Sequence, residues 1–244
     1  MRFLKRYSHL ALWRPALRVL CYHRVHPLGA DRFSITPRQF ELQLQYLIGS
    51  GFSLICARDL FCQRALPEQP LLLTFDDGYV DNLQFAQPIL KRHGARATIF
   101  IVSAYAGDRA RWARDDAALL SPKQLRALDP DVIELALHSH SHRAFASLSL
   151  EEIEDDLRRN LEFFSQHDLR MTPVLAYPYG SRPRCSPSAL KNALTALGIP
   201  FAFRIGNRLN RLPLVNPYEI QRIDVRRDDS EATFKWKLWV GRLL

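Results

Sequence analysis

The chain has 244 residues, 47% of them hydrophobic, and a formal net charge of +9. That length supports one sizeable core, and no apolar run approaches the roughly 20 residues of a membrane span. The positive charge fits an anionic partner such as an acidic membrane surface or glycan, or simply keeps a surface soluble. The charges are dispersed and no nucleic-acid recognition motif is present, so no nucleic-acid partner is expected.

The chain opens on "MRFLKRYSHLALWRPALRVL". Basic residues begin it as they begin a signal peptide, but Arg14 and Arg18 interrupt the apolar region and no small-residue cleavage site follows. A cytoplasmic protein is expected, with a basic N-terminal extension over 1–17 and a basic amphipathic helix over 231–244. These ends either pack on the domain's own core or touch the inner face of a membrane peripherally. Cys21, Cys56, Cys62 and Cys185 form no CxxC pair, so free thiols are expected.

Short apolar runs then recur: "LRVLCYHRV", "LLLTF", "ATIFIVSAY", "VIELAL", "VLAYPYG", "FAFRIG" and "IQRIDV". Continuous apolarity predicts strands buried on both faces, as in a parallel sheet. Helix starts alternate with them. Thr36, Ser121, Ser149 and Ser186 each offer an N-cap hydroxyl. "TPRQ" places Pro at the first helical position and Gln at the third, a capping box that "SPKQ" repeats, and "SLEE" and "SPSA" open two more helices. Behind Ser149, Ile153, Leu157, Leu161 and Phe164 form one stripe. About seven strand–helix units predict an α/β fold, a distorted (β/α) barrel or, alternatively, a doubly wound sheet.

Polar residues cluster at the ends of the runs, where barrel chemistry sits. They are His23, the adjacent Asp76 and Asp77, "HSHSH" over 138–142, Tyr177 and Tyr179, with Arg222 and Asp224 inside the last run. Three of the chain's eight histidines fall within five residues, which suggests a metal site. Residues two apart on a strand are separated by roughly 6.6–6.8 Å, so His138 and His140 could chelate. His138 and His142 could do so only if the chain turns after His138, as one helical turn does. Spacing leaves both pairs open. A carboxylate from the Asp pair would add charge and a third ligand.

"TFDDG" followed by "HSHSH" resembles the polysaccharide deacetylase family, carbohydrate esterase family four, and "YPYG" fits the end of that family's third motif. The resemblance runs from "CYHRV" to "RIDV". It implies a single catalytic domain over 1–244 that removes acetyl groups from N-acetylated sugars by cleaving the amide carbon–nitrogen bond. The divalent metal it implies is commonly Zn2+, with Ni2+, Co2+ or Mn2+ as alternatives. Carried over by position, Asp76 is the catalytic base, and Asp77, His138 and His142 are the metal ligands. The Tyr179 N–H holds the oxyanion, with Tyr177 beside it.

Two positions depart from the pattern. Ala176 stands where the family carries the Arg that supports the base, and Arg222 is the candidate substitute. No His follows "RIDV", so the family's late acid-bearing motif is missing. His23 fills that role if the chain resembles the circularly permuted subgroup acting on poly-N-acetylglucosamine and related exopolysaccharides. There the acid-bearing strand comes first. The implied function is hydrolysis in exopolysaccharide or cell-envelope glycan metabolism. The alternative, raised by Ala176, is a catalytically degenerate glycan-binding or assembly protein. The sequence is silent on oligomeric state.

Overall fold

The computed structural model describes residues 16–28, 31–61, 66–113 and 115–241. In chain order the strands are β1 (Ala16–Tyr22), β2 (Arg24–Val25), β3 (Ser34–Ile35), β4 (Ser53–Ile55), β5 (Pro70–Phe75), β6 (Ala97–Ile101), β7 (Ile133–Leu137), β8 (Val174–Ala176), β9 (Phe201–Ile205), β10 (Asn210–Arg211) and β11 (Ile220–Asp224). The α-helices are α1 (Pro37–Gly49), α2 (Gln87–Arg92), α3 (Pro122–Arg126), α4 (Leu150–Gln166), α5 (Pro187–Ala196) and α6 (Glu231–Val240).

Seven strands close a ring, running β1–β11–β9–β8–β7–β6–β5 and back to β1, all parallel. They are the seven apolar runs of the sequence, so the distorted (β/α) barrel is what forms. The distortion has a visible cause. β5 pairs with β4 over its first half and with β6 over its second, while β1 carries the antiparallel β10 at its start. Strand order makes the first and last barrel strands neighbours, joined at Leu20↔Ile223 and Cys21↔Asp224.

The continuous apolarity reflects two cores. Leu17, Val19, Leu72, Phe100, Ala136, Val174, Ala176, Phe203 and Ile220, drawn from every strand of the ring, fill the lumen. The alternate residues, among them Leu20, Tyr22, Leu71, Leu73 and Phe75, face the surrounding helices. Both sides of a strand are therefore dry.

The C-terminal helix α6 packs on the domain, burying Phe234 and Leu238, with Trp239 donating its indole N–H to the Tyr46 hydroxyl at 2.9 Å. Ala16 and Leu17 belong to β1, so the strand begins inside the expected extension; residues 1–15 and 242–244 lie outside the described residues. Cys21, Cys56 and Cys185 are free thiols, and Cys62 lies outside the described residues. Among the described residues no helix is long and apolar enough to cross a membrane.

Candidate active site

Strand register assembles the site. β1 and β5 pair through Tyr22↔Phe75, so His23 and Asp76 leave the barrel side by side. Along β5 the residues Leu72 and Thr74 face the lumen, and the same alternation sends Asp76 inward. There it meets Arg222 of β11, which is fully buried. The guanidinium donates twice, to Asp76 Oδ1 at 2.5 Å and to Oδ2 at 2.8 Å. Burial alone would raise the Asp76 carboxyl, but Arg222, His138 and His23 outweigh it and hold the group at about 2. Asp76 is thus an anion at neutral pH. His23 Nε2 lies 4.0 Å from its Oδ2.

Strand alternation would send Asp77 outward. Instead its backbone takes φ 72°, followed by Gly78 at φ 85°, and the chain swings the carboxylate back over the barrel mouth. A Cβ on residue 78 would lie 2.7 Å from Ile101 Cδ1, so both space and conformation call for glycine there. "HSHSH" also turns, at Ser139 (φ 73°) and His142 (φ 56°). His138 and His142 come to the same side and His140 departs, its Nδ1 lying 3.0 Å from Ser103 Oγ. Of the two pairs left open by spacing, the one brought together is therefore the one that needs the turn.

Asp77 Oδ1 lies 3.4 Å from His138 Nε2 and 3.2 Å from His142 Nε2. It is buried and makes no hydrogen bond with either. The Ala176 carbonyl accepts from His138 Nδ1 at 2.8 Å, so Nε2 of the neutral ring presents its lone pair to the same point. One carboxylate oxygen without a hydrogen-bond partner and two imidazole nitrogens thus converge. This is the donor set of a three-ligand site for a divalent ion. Burial would raise the Asp77 carboxyl, but the two imidazoles hold it well below the usual carboxylate range. Burial pulls the His138 imidazole down, and the carboxylates beside it more than reverse this. The pocket calls for positive charge, and the residues fit a metal.

These groups line a cavity of about 700 Å³ with His23, Phe33, Trp112, Tyr179 and Asp224. Tyr179, at φ 57°, is 60% exposed at its edge. Tyr177 is buried and turned away, its hydroxyl donating to the Tyr218 carbonyl at 3.1 Å. Of the predicted residues, His23, Asp76, Asp77, His138, His142 and Tyr179 meet at the cavity. Arg222 reaches it through Asp76, and Tyr177 is apart.

The sequence profile of the family described as "Polysaccharide deacetylase" matches residues 63–202. The chain belongs to the polysaccharide deacetylase family. Among relatives of this deacetylase-family chain, the poly-beta-1,6-N-acetyl-D-glucosamine N-deacetylase of Staphylococcus aureus (strain MSSA476) is 23% identical over 215 residues, covering 83% of this chain and 71% of its own. YxkH of Bacillus subtilis (strain 168) is 24% identical over 172 residues, and the match spans 68% of this chain but only 58% of YxkH. IcaB from Ammonifex degensii shares the fold with a TM-score of 0.76 at 23% identity, over 92% of this chain and 97% of that one.

Several residues of this deacetylase-family site escape a sequence reading. Asp156 of α4 accepts from the His140 and Ser141 N–H groups at 2.7 and 2.9 Å and so holds the "HSHSH" turn. Asn82 donates to the His23 carbonyl at 2.9 Å. Trp112 donates its indole N–H to Asp77 Oδ2 at 3.2 Å. Only Asp156 left a signal, a carboxylate on the apolar stripe of its helix.

Proposed function

We propose that this chain is a divalent-metal-dependent deacetylase that hydrolyses the N-acetyl groups of a glycan built on N-acetylglucosamine. The observation that carries the reading is a division of labour between neighbours. Asp76 is ionised, tied to Arg222, and stands 3.7 Å from His138 Nε2, while Asp77 joins the two histidines as a separate ligand set. The substrate class is taken from the S. aureus relative.

Asp77, His138 and His142 would hold the ion, which supplies Lewis acidity toward the acetyl carbonyl and lowers the pKa of water. Asp76 accepts the proton of the attacking water as its oxygen bonds to the acetyl carbon. The Tyr179 N–H donates to the developing oxyanion. His23, whose Nε2 lies 4.0 Å from Asp76 Oδ2, gives its proton to the sugar nitrogen as the carbon–nitrogen bond breaks. Acetate and a free amine leave. Arg222 supplies the guanidinium that Ala176 lacks, the departure that raises the degenerate alternative, and this speaks for turnover. The permuted strand order is supported by β1, which comes first in the chain, leads directly into His23 and closes the ring between β11 and β5.

The test is acetate release from N-acetylglucosamine oligomers after loading with Zn2+, Ni2+, Co2+ or Mn2+. Asp76→Asn and His138→Ala are expected to abolish it. His23→Ala is expected to slow it by about 10²–10⁴-fold, the usual worth of a general acid, with metal still bound. Absence of turnover in the wild type with every metal, or retained activity in Asp76→Asn, would sink the proposal.

A further inference from the structure

The two histidine ligands are held in different ways. His138 follows the usual rule for a ligating imidazole, giving its second nitrogen to a backbone carbonyl that fixes tautomer and tilt. His142 does not. Its Nδ1 is buried with no hydrogen-bond partner. What the ring has instead is aromatic company. Trp112 lies 3.9 Å away, centroid to centroid, at 36°, and Tyr179 lies 4.7 Å away at 40°.

Trp112 also donates its indole N–H to Asp77 Oδ2 at 3.2 Å, which leaves Oδ1 as the oxygen turned to the two imidazoles. One side chain therefore orients two of the three ligands, one by a hydrogen bond and one by its ring face. Its own place is fixed. The segment between β6 and α3 that carries it bridges at Tyr79↔Leu119 and Arg109↔Ala118. Tyr105 packs edge-on against Trp112 at 5.3 Å.

We propose that Trp112 is a positioning residue of the metal site, standing in for the hydrogen bond that His142 lacks and setting the affinity for the divalent ion. The inference rests on the metal-dependent reading of the same three ligands. Trp112→Phe separates the two contacts, because it keeps an aromatic ring beside His142 and removes the donor to Asp77. Trp112→Ala removes both.

The experiment is the dissociation constant for Zn2+ of the full chain, by competition with a chromophoric chelator, with the melting temperature of the metal-free protein measured in parallel. Loss of a group that orients metal ligands typically weakens binding by 10–100-fold. Trp112→Phe is expected to weaken it by about 10-fold and Trp112→Ala by about 100-fold. The metal-free Trp112→Phe chain is expected to melt as the wild type does. Tryptophan emission is expected to change on Zn2+ loading in the wild type and not in Trp112→Phe. Wild-type affinity in Trp112→Phe overturns the inference, and so does weakened binding matched by a lower melting temperature of the metal-free variant. A wild type that binds no divalent ion would overturn the metal-dependent reading itself and this inference with it. Tight wild-type binding with unaffected variants would remove only the role of Trp112.

Discussion

At the scale of single residues, the adjacent carboxylates of Asp76 and Asp77 persist because each has its own source of positive charge. Arg222 serves Asp76 from inside the barrel, and the imidazoles serve Asp77 from above. Arg222 is fully buried, so truncating it would leave a charge stranded in a dry lumen. Arg222→Met is expected to cost about 3–5 kcal/mol of stability, the range for breaking one side of a buried pair. Adding Asp76→Asn should recover part of that stability and none of the activity. Arg222→Lys keeps the charge but not the two parallel hydrogen bonds, and should fall between. Urea denaturation of the four proteins measures this, and an Arg222→Met variant as stable as the wild type would contradict it. The sequence exposed Arg222 as an arginine inside an apolar strand, although 146 positions separate it from Asp76. It gave no hint of Trp112, which sits in a segment without periodicity and acts only through the fold.

Among the elements, α4 shows how a helix behind the barrel shapes the site in front. Its buried face reads Ile153, Asp156, Leu157, Asn160 and Phe164. The two polar members interrupt an apolar stripe because each serves a loop at a strand end. Asp156 receives two backbone N–H groups of "HSHSH", and Asn160 donates to Ser103 Oγ at 2.9 Å. Asp156→Asn would turn an amide donor toward one of those N–H groups. Hydrogen bonds to a charged group are worth about 1.5–3 kcal/mol each. The variant should therefore melt several degrees lower and lose metal affinity, since His142 closes the same turn; calorimetry and metal titration check both. Helix starts were legible wherever a hydroxyl N-cap stood. The boxes at Ser121 and Ser149 form in full, whereas at Thr36 the Gln39 side chain donates to the Arg227 carbonyl instead. The segment 82–92 was not legible. It begins as a π-helix at Asn82–Ala86 without a side-chain cap and passes into α2, which starts at Gln87.

For the whole molecule, the question is whether the proposed ion would hold the fold together or only complete it. The closed ring has no open edge to be sealed by metal, and both cores are packed from residues other than the three ligands. Asp77, His138 and His142, the proposed ligands, sit on the loops that leave β5 and β7, at the mouth of the barrel. This differs from a zinc finger, where binding free energy is folding free energy. Chelated protein is accordingly expected to keep its far-UV circular dichroism and a cooperative melt. Restoring an ion at 100 times its dissociation constant adds about 2.7 kcal/mol by mass action. At roughly 2–4 °C per kcal/mol for a chain of this size, that is an upward shift of about 5–10 °C. Collapse of the circular dichroism on chelation would mean that the loops carrying Asp77, His138 and His142 are part of what closes the barrel. A shift of the expected size with the spectrum unchanged would mean that the ring forms without the ion, which then selects one arrangement of its mouth.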